Sequence, residues 1–206
     1  MPSNVRQVFF QPDPSQGSLR RASGQRLAAV PADFLLALHL HLYDRFGEKS
    51  PDLLYRSGYE QALQDMLRLN QELRANYGGG NFDLWQMDAK FILDTWWEPL
   101  AEAGWGRCTF DLAALSRGVA FADLEASVIA EALGSAEYPV CHFVAGLLAG
   151  AFSFFERAER HATELQCLAN GGPTCRFVVA PGSEIDSAET LRQQGISAAD
   201  IIRRMK

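Results

Sequence analysis

No apolar run in the 206 residues reaches the ~20 needed to cross a bilayer; the best candidate, Val140 to Phe155, is interrupted by Cys141, His142, several small residues and Ser153. A transmembrane segment is therefore not expected. Basic charge is in the minority, with 19 Lys and Arg against 25 Asp and Glu and a net charge of −6. An acidic chain of pI ≈ 5.2 lacks the broad phosphate-binding surface that drives nucleic-acid affinity, so no nucleic-acid partner is expected. An uncharged apolar leader is missing too, because Arg6 is soon followed by Gln11, Asp13, Ser15 and Gln16. The sequence reads as a soluble, cytoplasmic protein.

Nucleotide fingerprints are absent as well. Gly78 to Gly80 and Gly104-x-Gly106 lack the strand-turn-helix context and the glycine spacing that cradle a phosphate. Nothing is built to hold a nicotinamide or flavin, which weighs against a redox enzyme. Cysteine is scarce: four thiols are too few to staple a chain of this size, and in a reducing compartment clustered thiols more often bind metal or do redox chemistry. Cys108 has no recognisable His partner and reads as a buried strand residue rather than a nucleophile.

What is present is ordinary globular composition, 48% hydrophobic and 21% charged, fitting one domain with appendages. Residues 1–32, with Pro2, Pro12, Pro14 and Pro31, read as a loosely held arm in which Val8-Phe9-Phe10 forms an edge strand. Helical spacing predicts a helix from Asp33 to Phe46 and a second from Ser50-Pro51 to the Gly78–Gly80 stop. A third runs from about Phe82 to Glu102 and turns through Gly104-Trp105-Gly106 into a strand, Arg107 to Leu112. Asp123 to Leu133 reads helical, and Val140 to Arg160 reads as a long, mostly buried helix bearing Ala145, Gly146, Ala149, Gly150 and Ala151. Glu164 to Leu168 and Cys175 to Ala180 read as a hairpin, and residues 183–206 as a polar helical tail. The fold class is α+β: helices on a small antiparallel sheet.

Cys141 opens the long helix, while Cys167 and Cys175 flank the hairpin turn with Glu164 three residues upstream. Spacing leaves two readings open. Buried free cysteines pack as small hydrophobes; alternatively three thiolates and one carboxylate close a tetrahedral zinc shell with no open position, which makes the ion structural. His142 and His161, neighbours of these positions, are kept outside the shell.

The stretches Tyr138-Pro-Val-Cys-His-Phe-Val-Ala-Gly-Leu-Leu-Ala-Gly150 and Glu164-Leu-Gln-Cys-Leu-Ala-Asn-Gly-Gly-Pro-Thr-Cys-Arg-Phe-Val-Val179, with Leu54-Tyr-Arg-Ser-Gly-Tyr59 upstream, resemble the 4-vinyl reductase domain. That ligand-binding domain is named from a bacteriochlorophyll-biosynthesis protein and also serves as the sensory domain of phenol-responsive transcription activators. The resemblance covers roughly residues 50–180 and makes residues 33–182 a ligand-binding domain. It implies a zinc-stabilised C-terminal hairpin whose ligands land on Cys141, Glu164, Cys167 and Cys175.

The resemblance also implies a cavity between helices and sheet, where aromatic residues supply candidate lining: Phe91, Trp96, Trp97 and Trp105 in one group, Phe110, Phe121, Phe143 and Phe152 in another. Core packing is the competing explanation for such a stripe. The His and Trp that hold phenol in phenol sensors align, without gaps, with Ile92 and Ala120, neither of which hydrogen-bonds. The expectation is thus a non-enzymatic domain that carries or senses a hydrophobic aromatic ligand, a chlorophyll-type tetrapyrrole first among them, in photosynthesis-linked biosynthesis or assembly. A dimeric scaffold with a partner protein is the alternative, because the fold also resembles a subunit of vesicle-tethering complexes; a vinyl reductase using an external reductant is the second. Homodimerisation is implied by the same resemblance, and the apolar surplus between Phe34 and Leu73 permits it.

Overall fold

The computed structural model describes residues 9–21, 24–77 and 83–206. Val8 of the expected edge strand, the Gly78–Gly80 stop and the Phe82 helix start lie outside the described residues. Within the arm, Phe10–Asp13 (β1), Ser18–Arg21 (β2) and Arg26–Leu27 (β3) form a three-stranded antiparallel meander in place of a single edge strand. Its first turn is closed by Asp13, whose Oδ1 accepts from the Ser15 and Gln16 backbone N–H groups.

Helices α1 (Ala32–Phe46) and α2 (Ser50–Tyr77) follow the expected boundaries. Helix α3 is shorter than expected, Ala89–Glu102. Asp83 caps a 3-10 turn at Leu84–Gln86, and Asp88 then accepts from Phe91 N–H to start the helix afresh, so two N-caps split one apolar pattern. Strand β4 (Arg107–Asp111) is as expected.

The helix read over Asp123 to Leu133 is corrected. Ala120–Glu125 is strand β5, and only Val128–Leu133 is helical (α4), opened by Ser127, which accepts from Ala130 N–H. Then come α5 (His142–Glu156), β6 (His161–Gln166), β7 (Cys175–Ala180), α6 (Gly182–Gln193) and α7 (Ala198–Met205). The main sheet is antiparallel in the order β4-β5-β7-β6.

Both faces of that sheet are covered. Ala120, Ala122, Leu124, Phe177 and Val179 join the core shared with α2, α3 and α5. Phe121, Val178 and Ala180 meet Ile185 and Ala188 of α6 and Ile201 of α7 on the other side. A strand buried on both faces has no polar alternation, which is why β5 carries no period-two signal.

Helices α2 and α5 pack backbone to backbone. A Cβ on Gly58 would collide with the Phe143 carbonyl oxygen, one on Gly146 with that of Tyr55, and one on Gly150 with that of Tyr59. Glycine at these three places is what allows the approach. No helix among the described residues is long and apolar enough to cross a membrane.

Candidate functional site

The loop before α5 is laid against the hairpin turn by Ala136 N–H donating to the Ala169 carbonyl (2.8 Å) and Asn170 Nδ2 donating to that of Glu137 (2.7 Å). This brings Cys141, the residue preceding α5, beside the ends of β6 and β7. Glu164 and Cys167 are three residues apart, an odd spacing that a regular strand would send to opposite faces. A bulge between Glu164 and Gln166 adds one residue to β6 and restores both side chains to one side.

The ligand atoms of Cys141, Glu164, Cys167 and Cys175 lie within 4.8 Å of one another, and all four residues are buried. Cys141 Sγ is 3.6 Å from Cys175 Sγ, which is 3.9 Å from Cys167 Sγ. Metal–sulfur bonds of ~2.3 Å at tetrahedral angles place sulfurs about 3.8 Å apart, so these separations fit a shared ion without rearrangement. Glu164 Oε2 accepts from the Cys141 backbone N–H at 2.9 Å. Its Oε1 is buried with no partner, a lone pair that a cation in the cluster would satisfy. The residues therefore fit a metal ion.

Electrostatics agree. Burial pushes the Glu164 carboxyl up to about 8, while the adjoining Cys167 and Cys175 sulfurs, with burial, drive the Cys141 thiol far above its usual range. Four acidic groups crowded out of water cannot all ionise unless a cation balances them. Two contacts were not legible in the sequence: Leu168 N–H donates to Cys175 Sγ at 3.4 Å, and Ser127 Oγ lies 3.3 Å from Cys141 Sγ. The Ser127 capping position was the available signal for the second. Four protein ligands leave no open position, so the set suits a structural ion.

The eight aromatic candidates are not gathered around one space. Trp105 and Phe143 stack at 5.4 Å between centroids and line an apolar chamber of about 500 Å³ beneath the meander, with Leu19, Leu27, Leu100 and Leu147. Trp96, Trp97, Phe110 and Phe152 are buried in the main core and Phe121 in the second. Phe91 is 46% exposed. Ile92 and Ala120 are buried in the main core as well. Trp97 Nε1 donates to the Gly106 carbonyl at 3.0 Å, whereas Trp96 Nε1 is buried without a partner. Cys108 is a free thiol that burial pushes well above its usual range, the state of an unreactive side chain. Arg21, Gln25 and Asp65 also line the chamber; the meander that carries the first two had no sequence signal beyond its first strand.

Residues 121–181, the span holding three of the clustered ligands in its hairpin and the fourth at the start of α5, match the family model of the 4-vinyl reductase domain. The chain carries a 4-vinyl reductase domain. The match bears out the resemblance read from the Cys and Glu motifs. No curated protein matches the sequence significantly. Among solved structures, this 4-vinyl reductase domain chain is similar to the phenol-responsive sensory domain of the transcription activator PoxR with phenol, at TM-score 0.68 and 22% identity, covering 88% of this chain and 89% of that one. A vinyl-4-reductase family protein from Methanocaldococcus jannaschii matches at TM-score 0.49 and 19% identity over 74% and 82% of the two chains. A trafficking protein particle complex subunit 3 from Naegleria fowleri, covalently bound to palmitic acid, matches at TM-score 0.51 and 10% identity over 72% and 91%. At these identities the likeness is one of fold.

Proposed function

We propose that this 4-vinyl reductase domain is a zinc-stabilised, non-enzymatic module that carries or senses a hydrophobic aromatic molecule. The observation that carries the reading is the apolar chamber of about 500 Å³ with the stacked Trp105 and Phe143 in its wall. Its size falls within the ~300–1,000 Å³ usual for small-molecule sites, and flat aromatic walls favour a flat aromatic guest. The phenol named for the PoxR sensory domain supports a small aromatic ligand for the fold. Ile92 and Ala120, apolar where phenol sensors place hydrogen-bonding groups, favour a larger apolar ring system, for which a chlorophyll-type tetrapyrrole intermediate in photosynthesis-linked biosynthesis is our first candidate. Zinc is assigned to the cluster because three sulfurs and one carboxylate in a closed, tetrahedral-sized set are its usual structural donors.

Native mass spectrometry of protein from its own host, with absorption from ~350 to 700 nm, tests both assignments, zinc by its mass and a tetrapyrrole by its Soret band. A zinc adduct with a chromophore supports them; a colourless protein with an empty chamber removes the tetrapyrrole.

A second reading rests on exposed apolar side chains along α1 and α2, where Phe34, Leu40 and Phe46 are 52%, 55% and 48% exposed and Leu38, Leu53 and Leu67 add to the patch. This surface favours a homodimer or an assembly role with a partner protein. Light scattering of wild type and of Phe34→Glu with Leu40→Glu tests it. A dimer that dissociates in the double variant supports the reading, and a monomeric wild type refutes the homodimer.

A further inference from the structure

A second cavity, of about 1,020 Å³, opens between the α1–α2 elbow and α6, on the opposite side of α5's first turns from the apolar chamber. Its walls include Tyr43, Tyr55 and Tyr138, with His142 at its floor and Arg192 on α6. Buried polar atoms without partners concentrate here. Tyr43 Oη, His142 Nε2 and Arg192 Nε all belong to residues lining this cleft, and His39, 4% exposed and stacked on Tyr43 at 6.0 Å, has an unpartnered Nε2 directly behind it. Buried polar groups in native proteins are nearly always satisfied, so such a concentration marks a place where polar matter binds.

The sign of that matter follows from the charges. Glu48, Asp52, Asp186 and Glu189 line the cleft against the single guanidinium of Arg192. Asp52 is paired with Arg56 at 3.0 Å, while Glu48, Asp186 and Glu189 form no ion pair among the described residues. An anion would meet a surplus of carboxylates, and an apolar ligand would leave the buried polar atoms unsatisfied. Tyr43 and Tyr138, 6.2 Å apart and tilted by 30°, add ring faces of the kind that attract a cation.

We propose that this cleft is a binding site for a small organic cation, an amine or amidine borne on a ring or short chain, distinct from the apolar chamber and independent of what that chamber holds. The cationic head sits against Asp186 and Glu189, and its body lies along the tyrosines. Because the cleft joins α6 to the α1–α2 elbow, occupancy ties the C-terminal helices to the first two.

The test uses the metal-loaded full chain and three probes that share one ring: benzylamine, benzyl alcohol and benzoate, followed by NMR of the Tyr43 and His142 ring signals. Benzylamine is expected to shift both signals saturably, benzyl alcohol to bind about tenfold more weakly and benzoate not to bind. Asp186→Asn with Glu189→Gln, on the outer side of α6 and away from the metal cluster, is expected to weaken benzylamine about tenfold without changing the melting temperature. Tyr43→Phe, which keeps the ring and removes the hydroxyl, is expected to weaken it less. The proposal is overturned if no probe moves these signals, so that the cleft holds water alone, if benzoate or benzyl alcohol matches benzylamine, or if the double variant binds as wild type does.

Discussion

The backbone N–H of Cys141 donates to Glu164 Oε2 at 2.9 Å, so the entrance to α5 and the middle of β6 are already joined by the carboxylate whose other oxygen is unpartnered. One oxygen positions the cysteine and the other is left for a cation. Glu164→Gln keeps an oxygen for the Cys141 N–H and loses the negative charge. Metal affinity, measured by chelator competition, is expected to fall at least about tenfold while the metal-free fold melts near the wild-type temperature.

Cys167→Ser and Cys175→Ser each remove a thiolate that completes the four-ligand set. Binding energy at a structural ion is folding energy, so each variant is expected to purify without stoichiometric metal and to melt on the order of 10 °C lower. Elemental analysis beside a thermal melt checks both. Unchanged melting in the two variants and in chelator would remove the metal assignment.

With and without metal, the pH dependence is expected to run in opposite directions. In the metal-free protein burial raises Glu164 from 4.5 to about 8. A carboxyl whose folded pKa lies above its unfolded value holds its proton more tightly when folded. Its stabilising contribution is complete below about pH 4.5 and is lost as pH rises towards about 8. The metal-loaded protein needs deprotonated ligands and so weakens as pH falls. Melting curves across this window should slope in opposite senses, and parallel curves contradict the assignment.

Gly146→Ala places a methyl group on the Tyr55 carbonyl across the α2–α5 contact. Backbone must shift to admit it, at an expected cost of about 1–3 kcal/mol read from chemical denaturation. A neutral result would mean that the two helices are farther apart than described.

Trp96→Phe and Trp97→Phe remove similar volumes from one core, but only Trp97 has a hydrogen-bonded indole, to the Gly106 carbonyl. Trp97→Phe is expected to be more destabilising by about 1 kcal/mol. Equal losses would show that the Trp96 N–H has a partner in solution.

Local chemistry sufficed for the long helices and the hairpin. Ser50-Pro51 before an apolar repeat marks α2, and the run from His142 to Phe155 marks α5 within a few residues, because caps and periodicity are properties of neighbouring residues. The four clustered ligands were likewise legible, since a motif with fixed spacing carries its chemistry in one dimension. Strand β5 was not: Phe121 faces α6 and α7 while Ala120 and Ala122 face α5, and burial on both sides erases the alternation that betrays a strand.

Tertiary structure alone decided the rest. The bulge after Glu164 that brings it to the side of Cys167 is a matter of pairing with β7, and no single strand's sequence displays its partner's register. The aromatic stripe was visible as residue types, yet only packing sorted Trp96, Trp97 and Phe152 into the core and left Trp105 and Phe143 on a chamber wall. The cleft beside Tyr43, His142 and Arg192 unites residues of α1, α5 and α6 that lie far apart along the chain; whether a buried polar atom has found a partner is fixed by three-dimensional neighbours, which composition and spacing do not encode.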